Sequence, residues 1–190
     1  MMANTMTITM EKPHLSVKTQ VWATVAAIAA AVALPQAFHA LGAVSGLGTA
    51  LGETFLPMHL PIILVGLLAG PYAGAVSGLL GPLVSFALSG MPGAAMLPFM
   101  MLELAGYGLA AGLCRNVKIP AIGKVAISQV AGRLIRAAAI LLSVYAFGNE
   151  AVRVSVIWNS IVTGLPGLVL QWSLLPLIVF WIDNRRKDER

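Results

Sequence analysis

The chain has 190 residues, of which 58% are hydrophobic and 10% are charged. Soluble domains carry about 25% charged residues, so this composition and a mean hydropathy of +0.87 exclude a soluble globular domain and indicate an integral membrane protein. The net charge of +5 does not indicate a nucleic-acid partner, because the basic residues flank apolar runs instead of forming one surface patch.

Six apolar runs follow one another along the chain, which suits a helix length of about 20 residues per membrane crossing. The first run begins after Lys18 and is longer than the roughly 7–15 residues of a signal-peptide core, so we assign it to a membrane helix. The runs cover about residues 20–44, 57–70, 72–89, 94–114, 121–147 and 154–182. We therefore predict an all-α integral membrane protein, a compact bundle of six transmembrane helices within residues 20–182, with tails at 1–19 and 183–190.

The basic residues between the runs predict the orientation of the bundle. With six spans, both termini lie on one side of the membrane, and that side holds nine Lys and Arg residues, whereas the other side holds only Arg153. Cytoplasmic segments carry the excess of Lys and Arg, so we expect both termini to be cytoplasmic. The nine residues are Lys12, Lys18, Arg115, Lys118, Lys124, Arg185, Arg186, Lys187 and Arg190.

Short or interrupted spans are the first sign of a site. The second run is shorter than the hydrocarbon layer is thick, and the first and sixth runs contain Pro35, Pro166 and Pro176. Broken helices survive at membrane depth where protein or a wet cavity supplies partners for the freed backbone groups. Two interpretations stay open at this point: a cavity on the outer side, or ordinary proline kinks.

Two arginines lie deep in the fifth run, at Arg133 and Arg136. An arginine at the centre of a membrane helix costs about 2.5–3.5 kcal/mol, and residues three apart share a helix face, so both must face the bundle interior or water. Glu103 in the fourth run is the one acid at comparable depth and neutralises one of them. Either an anionic ligand neutralises the other, or Glu103 and Arg133 form a structural pair and the second arginine bonds backbone carbonyls or headgroups.

Four further residues are candidates for ligand contact. His59 stands at the outer start of the second run in the stretch PMHLP, and Tyr107 follows Glu103 by one helical turn. Asn159 and Thr163 are four apart in the sixth run and share a face. For His59 an ordinary packing role is the alternative, because a lone histidine also occurs in bundle interiors.

Several kinds of chemistry have no motif in the sequence. No phosphate-binding loop of the form G-x-x-x-x-G-K-[ST] occurs, so the chain is not itself an ATPase. No H-E-x-x-H or Cys/His cluster predicts a metal site, and the single Cys114 excludes an intramolecular disulfide. No nucleophile and base can be paired, so we predict no catalytic residues, no cofactor and no enzymatic activity.

Alanines recur every four residues along the first run, at Ala23, Ala27 and Ala31. This spacing makes a flat helix face on which another backbone can approach closely. The face serves either a separate membrane subunit or packing within the same bundle.

Taken in order, these features resemble the substrate-binding S-components of energy-coupling factor (ECF) vitamin transporters. The resemblance covers about residues 20–182 and rests on the six spans, the alanine spacing, FLPMHLPIILVGLLAGPYAGAVSGLLGPLVSFALSGMP, AGRLIRAA and TGLPGLVLQWSLLPLIV. It implies a non-enzymatic subunit that captures a vitamin or vitamin precursor from outside with high affinity. It also implies that Ala23, Ala27 and Ala31 dock on a membrane scaffold bound to two cytoplasmic ATPases, and that the subunit topples within the bilayer to deliver the ligand.

The resemblance further implies where the ligand binds. The family's pocket lies near the outer side, covered by the loop at 46–56 and the turn at 89–93, with Arg136 nearer to it than Arg133. The most similar subgroup is associated with pantothenate- or pyridoxine-type ligands, and the expected location is a bacterial plasma membrane. A different class stays open: a small ion-coupled secondary transporter acting as an oligomer, with Glu103 and one of the two arginines as its switch.

Overall fold

The computed structural model describes residues 15–188, apart from the side chains at 183 and 186–188. Most of the predicted N-terminal tail, residues 1–14, and the last two residues lie outside the described part. The described residues form eight α-helices and one 3₁₀ turn (Cys114–Asn116). The helices are α1 (Val17–Ser45), α2 (Ala50–Phe55), α3 (His59–Ala69), α4 (Pro71–Ser89), α5 (Leu97–Leu113), α6 (Ala121–Tyr145), α7 (Ser155–Thr163) and α8 (Leu165–Asp188).

Six segments are long and apolar enough to cross a membrane, which confirms the prediction of an all-α membrane bundle with six spans. The segments are Val17–Ser45, Ala50–Ala69, Pro71–Ser89, Leu97–Asn116, Ala121–Tyr145 and Leu165–Ile182. The predicted boundaries differ from these mainly at the second and sixth spans.

The second span is longer than predicted because the expected loop at 46–56 contains α2. Helix α3 has only 11 residues, but α2 precedes it and the two together make a 20-residue segment. Leu56 joins them with a φ of 50°, in the left-handed region. This bend brings the carbonyl of Leu56 and the side chain of His59 to the same place in the fold.

The sixth predicted run, 154–182, is divided into α7 and α8 at Gly164. A proline ring clashes with the carbonyl four residues earlier, so Pro166 ends α7 and then occupies the first turn of α8, where its missing N–H is tolerated. Helix α8 alone is long enough to span the membrane, and it continues through most of the predicted C-terminal tail.

Helix α5 is the centre of the bundle and packs against α3, α4 and α6. Its sequence AGYGLAAG presents glycine to each neighbour. A Cβ added at Gly108 would collide with the backbone of Gly74 on α4, and one at Gly66 on α3 would collide with the carbonyl of Gly108. Small residues allow helix backbones to approach this closely in a membrane bundle. This packing fixes the position of α5, which carries Glu103 and Tyr107.

The alanine stripe on α1 turns inward. Ala27 and Ala31 are 6% and 0% exposed, and Ala27 packs with Val65 and Ala73 of the chain's own bundle. Ala23 is half-buried at the edge of the same cluster. Ala27 and Ala31 therefore pack inside this chain's own bundle, and the docking role of the stripe stays a prediction.

Candidate functional site

A cavity of about 800 Å³ opens among α3, α5, α6 and α7 and the segments at 52–58 and 91–96. Pockets for small organic ligands measure about 300–1,000 Å³, so the space suits a molecule of vitamin size. Its polar and charged lining residues are His39, Glu53, His59, Ser85, Glu103, Arg133, Arg136, Arg153, Ser155, Asn159, Ser160 and Thr163.

Glu103 on α5 is the buried centre of the site. Its Oε1 accepts a hydrogen bond from the Tyr107 hydroxyl at 2.7 Å, and its Oε2 accepts one from Arg136 Nη1 at 2.8 Å. Gly132 on α6 makes these contacts possible, because a Cβ there would meet the Tyr107 ring and the Glu103 carbonyl. The close crossing of α5 and α6 thus sets one carboxylate beside two guanidinium groups.

The two arginines have different partners. Arg136 is the close ion-pair partner of Glu103, whereas Arg133 Nε lies 3.9 Å from Glu103 Oε1. The sequence suggested Arg133 as the structural partner; the shorter contact belongs to Arg136. Arg133 instead donates through Nη1 to Ser160 Oγ at 3.2 Å, and its Nε and Nη2 have no hydrogen-bond partner within the described residues.

His59 is buried and lines the cavity. Its ring centroid lies 5.0 Å from that of Tyr107, with a tilt of 50°. Neither ring nitrogen has a hydrogen-bond partner in the described part of the chain. Both nitrogens are buried, and a neutral imidazole has one donor and one acceptor.

Tyr107 is not a lining residue. It is completely buried, it is not part of the cavity wall, and its hydroxyl is committed to Glu103. The ring lies behind the carboxylate, and the hydroxyl holds that carboxylate in place; direct ligand contact by Tyr107 stays a prediction.

Helix α7 presents one polar face to the cavity. Asn159 and Thr163, both candidates from the sequence, lie on this face together with Ser155 and Ser160. Trp158 on another side of the helix is exposed. Ser155 and Ser160 were missed from the sequence. The spacing of four residues that joins Asn159 to Thr163 also joins Ser155 to Asn159 and could have indicated Ser155.

A second polar group, also missed from the sequence, lies at the α6–α8 contact. Trp172 Nε1 donates to Gln129 Oε1 at 2.6 Å, and Gln129 Nε2 donates to Gln171 Oε1 at 3.1 Å. Gln171 Nε2 donates in turn to the Leu56 carbonyl at 3.3 Å. This chain of hydrogen bonds ties α6 and α8 to the bend that precedes His59.

Methionines supply much of the apolar wall. Met58, Met91, Met96 and Met100 all line the cavity, and Met96 Sδ lies 3.8 Å from Arg136 Nη2. Thioether side chains are flexible and adapt to irregular ligands. No role for these residues is predicted from the sequence, since methionine is common in apolar helices.

The fold and the cavity define a class: a multi-pass helical membrane protein with a charged pocket of small-molecule size. The chain belongs to the family described as ECF transporter, substrate-specific component, whose family model matches residues 21–179. No curated protein and no solved structure gives a significant match. Membership makes the chain a transport subunit that takes a small-molecule substrate and works with ECF scaffold and ATPase subunits.

Proposed function

We propose that this chain captures a vitamin or vitamin precursor from outside the cell with high affinity and delivers it through an ECF scaffold powered by separate ATPases. The observation that carries the proposal is the 800 Å³ cavity in which Glu103, Arg133 and Arg136 meet. Ionisable groups are costly inside a membrane bundle and mark substrate paths. We assign ligand contact to His59, Arg136, Asn159 and Thr163, with Glu103 holding Arg136 in position.

The edges of the cavity support binding from the outside. Gly52 and Glu53 of α2 line it from one side, and Met91 and Pro92 line it from the turn before α5. The resemblance implies that these two segments cover the family's pocket. We propose that they open to admit the ligand, with both termini cytoplasmic and the protein in a bacterial plasma membrane, as the Lys and Arg distribution supports.

We propose that docking on the scaffold also uses an exposed face of α1. Ala29 and Ala33 are exposed, one turn apart on α1, and Ala26 and Ala37 beside them are exposed as well. Small residues at this spacing allow another helix to approach closely. We propose that this exposed stripe contacts the scaffold.

The ligand is proposed to be of the pantothenate or pyridoxine type. The support is the resemblance together with the mixed wall, in which guanidinium, hydroxyl and amide groups face thioethers. Precisely placed polar groups in an otherwise apolar pocket fix a ligand's orientation.

Uptake by reconstituted protein tests the proposal. Liposomes containing the chain alone are compared with liposomes that also contain the scaffold and both ATPases, in each case with radiolabelled pantothenate or pyridoxine. We expect binding in both preparations and ATP-dependent accumulation only in the second. Accumulation by the chain alone, driven by a proton or sodium gradient, would instead support the secondary transporter that the buried Glu103–Arg136 pair also allows.

A further inference from the structure

Charge is unbalanced in the interior of the cavity. Among the described residues that line it, the ionised groups are Arg133, Arg136, Arg153, Glu53 and Glu103. Glu53 and Arg153 are exposed and offset each other in sign. The deep group consists of Arg133, Arg136 and Glu103, whose side chains are 12%, 13% and 1% exposed. Its net charge is +1.

Glu103 does not form equally close ion pairs with the two arginines. One of its oxygens is taken by Arg136 Nη1 at 2.8 Å, and the other accepts the Tyr107 hydroxyl. Arg133 keeps only a distant contact of 3.9 Å to that second oxygen. The excess charge therefore resides on Arg133.

The unpartnered atoms of Arg133 are adjacent. Nε and Nη2 form one edge of the planar guanidinium, and neither has a hydrogen-bond partner among residues 15–188. Both atoms are buried, and Nε lies on the Glu103 side, 3.9 Å from Oε1. Two parallel N–H groups match the two oxygens of a carboxylate, and a ligand reaches these two once the packing around them opens. The Nη1 bond to Ser160 Oγ holds the plane of the group from the other edge.

We propose that the ligand is an organic monoanion whose acidic group binds Arg133 and whose neutral body lies along the methionine wall. This inference rests on the proposed function and narrows it, because pantothenate carries an acidic group and pyridoxine does not. A monoanion neutralises the deep group. A neutral ligand leaves Arg133 uncompensated in a low-dielectric interior, and a cationic ligand adds to the excess charge.

Affinity measurements on the full chain in detergent test the charge class directly. The probes are pairs that differ in the acidic group: nicotinate and nicotinamide, pantothenate and panthenol, biotin and biotinamide. Titration calorimetry on the parent should show one pair in which the acid binds and its neutral partner binds at least tenfold more weakly. Arg133→Gln should weaken the acid about 10- to 100-fold, the scale of a charge-assisted bond, and remove the preference.

Thermal unfolding of the ligand-free protein is a second test of the inference. Arg133→Gln removes an uncompensated charge, so its Tm should equal or exceed that of the parent, whereas Arg136→Gln removes the close partner of Glu103 and should lower it. Lys118→Gln, an exposed residue outside the cavity, is the charge-matched control. Arg133→Lys keeps the charge without the planar edge, and it should lose most of the affinity for the acid.

The outcomes separate this inference from the proposed function. One-to-one binding of a neutral probe as tight as that of its acid, or an unchanged preference in Arg133→Gln, overturns the inference and leaves the capture function standing. If no pair binds, thermal unfolding decides: a Tm loss in Arg133→Gln equal to that in Arg136→Gln makes Arg133 structural and overturns the inference.

Discussion

Arg136 donates through Nη1 to Glu103 Oε2 at 2.8 Å, and this bond joins α6 to α5 beside the cavity. The Tyr107 hydroxyl secures the other oxygen of the carboxylate. These contacts offset the free-energy cost of two arginines at membrane depth, because Arg136 is paired with a carboxylate and Arg133 lies at the wall of a cavity. The Glu103–Arg136 pair thus lines the cavity and also holds α5 and α6 together beside it.

Replacing Arg136 should destabilise the protein. Arg136→Gln leaves a buried carboxylate without its close partner, and breaking a buried pair on one side costs about 3–5 kcal/mol. Equilibrium unfolding in mixed detergent measures the loss. The double variant Glu103→Gln/Arg136→Gln should recover much of it, because both charges are gone; a loss equal to the sum of the two single variants would show that they are not coupled.

The crossing of α4 and α5 should not accept a side chain. Gly108→Ala places a methyl group against the backbone of Gly74, and overpacking of this kind costs about 1–3 kcal/mol or more. The matched variant Gly123→Ala lies in α6, where an added Cβ meets only the Ile119 side chain at 3.8 Å. The two are compared by Tm and by the yield of monodisperse protein. Equal behaviour would place the helix contact elsewhere.

The Gln129–Gln171 chain should matter for ligand binding although it lies behind the cavity. Gln171→Leu leaves the Leu56 carbonyl and the Gln129 amide without their partner, and a buried polar group left unsatisfied costs about 1–3 kcal/mol. We expect lower stability and weaker binding, because Leu56 precedes His59. Gln36→Leu, which removes an exposed bond to Ser89, is the control and should change stability by less than about 0.5 kcal/mol.

Two alanines on α1 should respond differently to enlargement. Ala31→Leu inserts volume at a completely buried position and should lower stability by about 1–3 kcal/mol. Ala33→Leu changes an exposed position and should leave stability and ligand affinity unchanged while reducing co-purification with the scaffold. Full recovery of the scaffold complex with Ala33→Leu would refute the proposed docking stripe.

Hydropathy was sufficient to predict the six spans, because the apolar runs are separated by short polar breaks. It was not sufficient for the division at Gly164. A proline near the middle of a long apolar run is compatible with a kink as well as with a break, and only the packing of α7 over the cavity distinguishes them.

The face of α1 that turns toward the bundle interior could not be predicted from the sequence either. Alanines lie on several sides of this helix, so stripes with the same spacing occur in different registers, and burial alone separates Ala31 from Ala33. The pairing within the site had a similar limit. Arg133 and Arg136 share a face, and which one reaches Glu103 depends on the helix crossing at Gly132. The contact between Gln171 and Leu56 joins residues 115 positions apart, and no local pattern marks it.

Native mass spectrometry of the chain purified in detergent from rich medium, without ATP or partner subunits, tests the central claim most directly. The account predicts one small molecule per chain, lost from Ser160→Trp, which places an indole on the cavity side of α7, and retained in Ala138→Trp, an exposed position outside the cavity. Retention of the same molecule by Ser160→Trp would contradict the account, because the ligand would then be bound elsewhere.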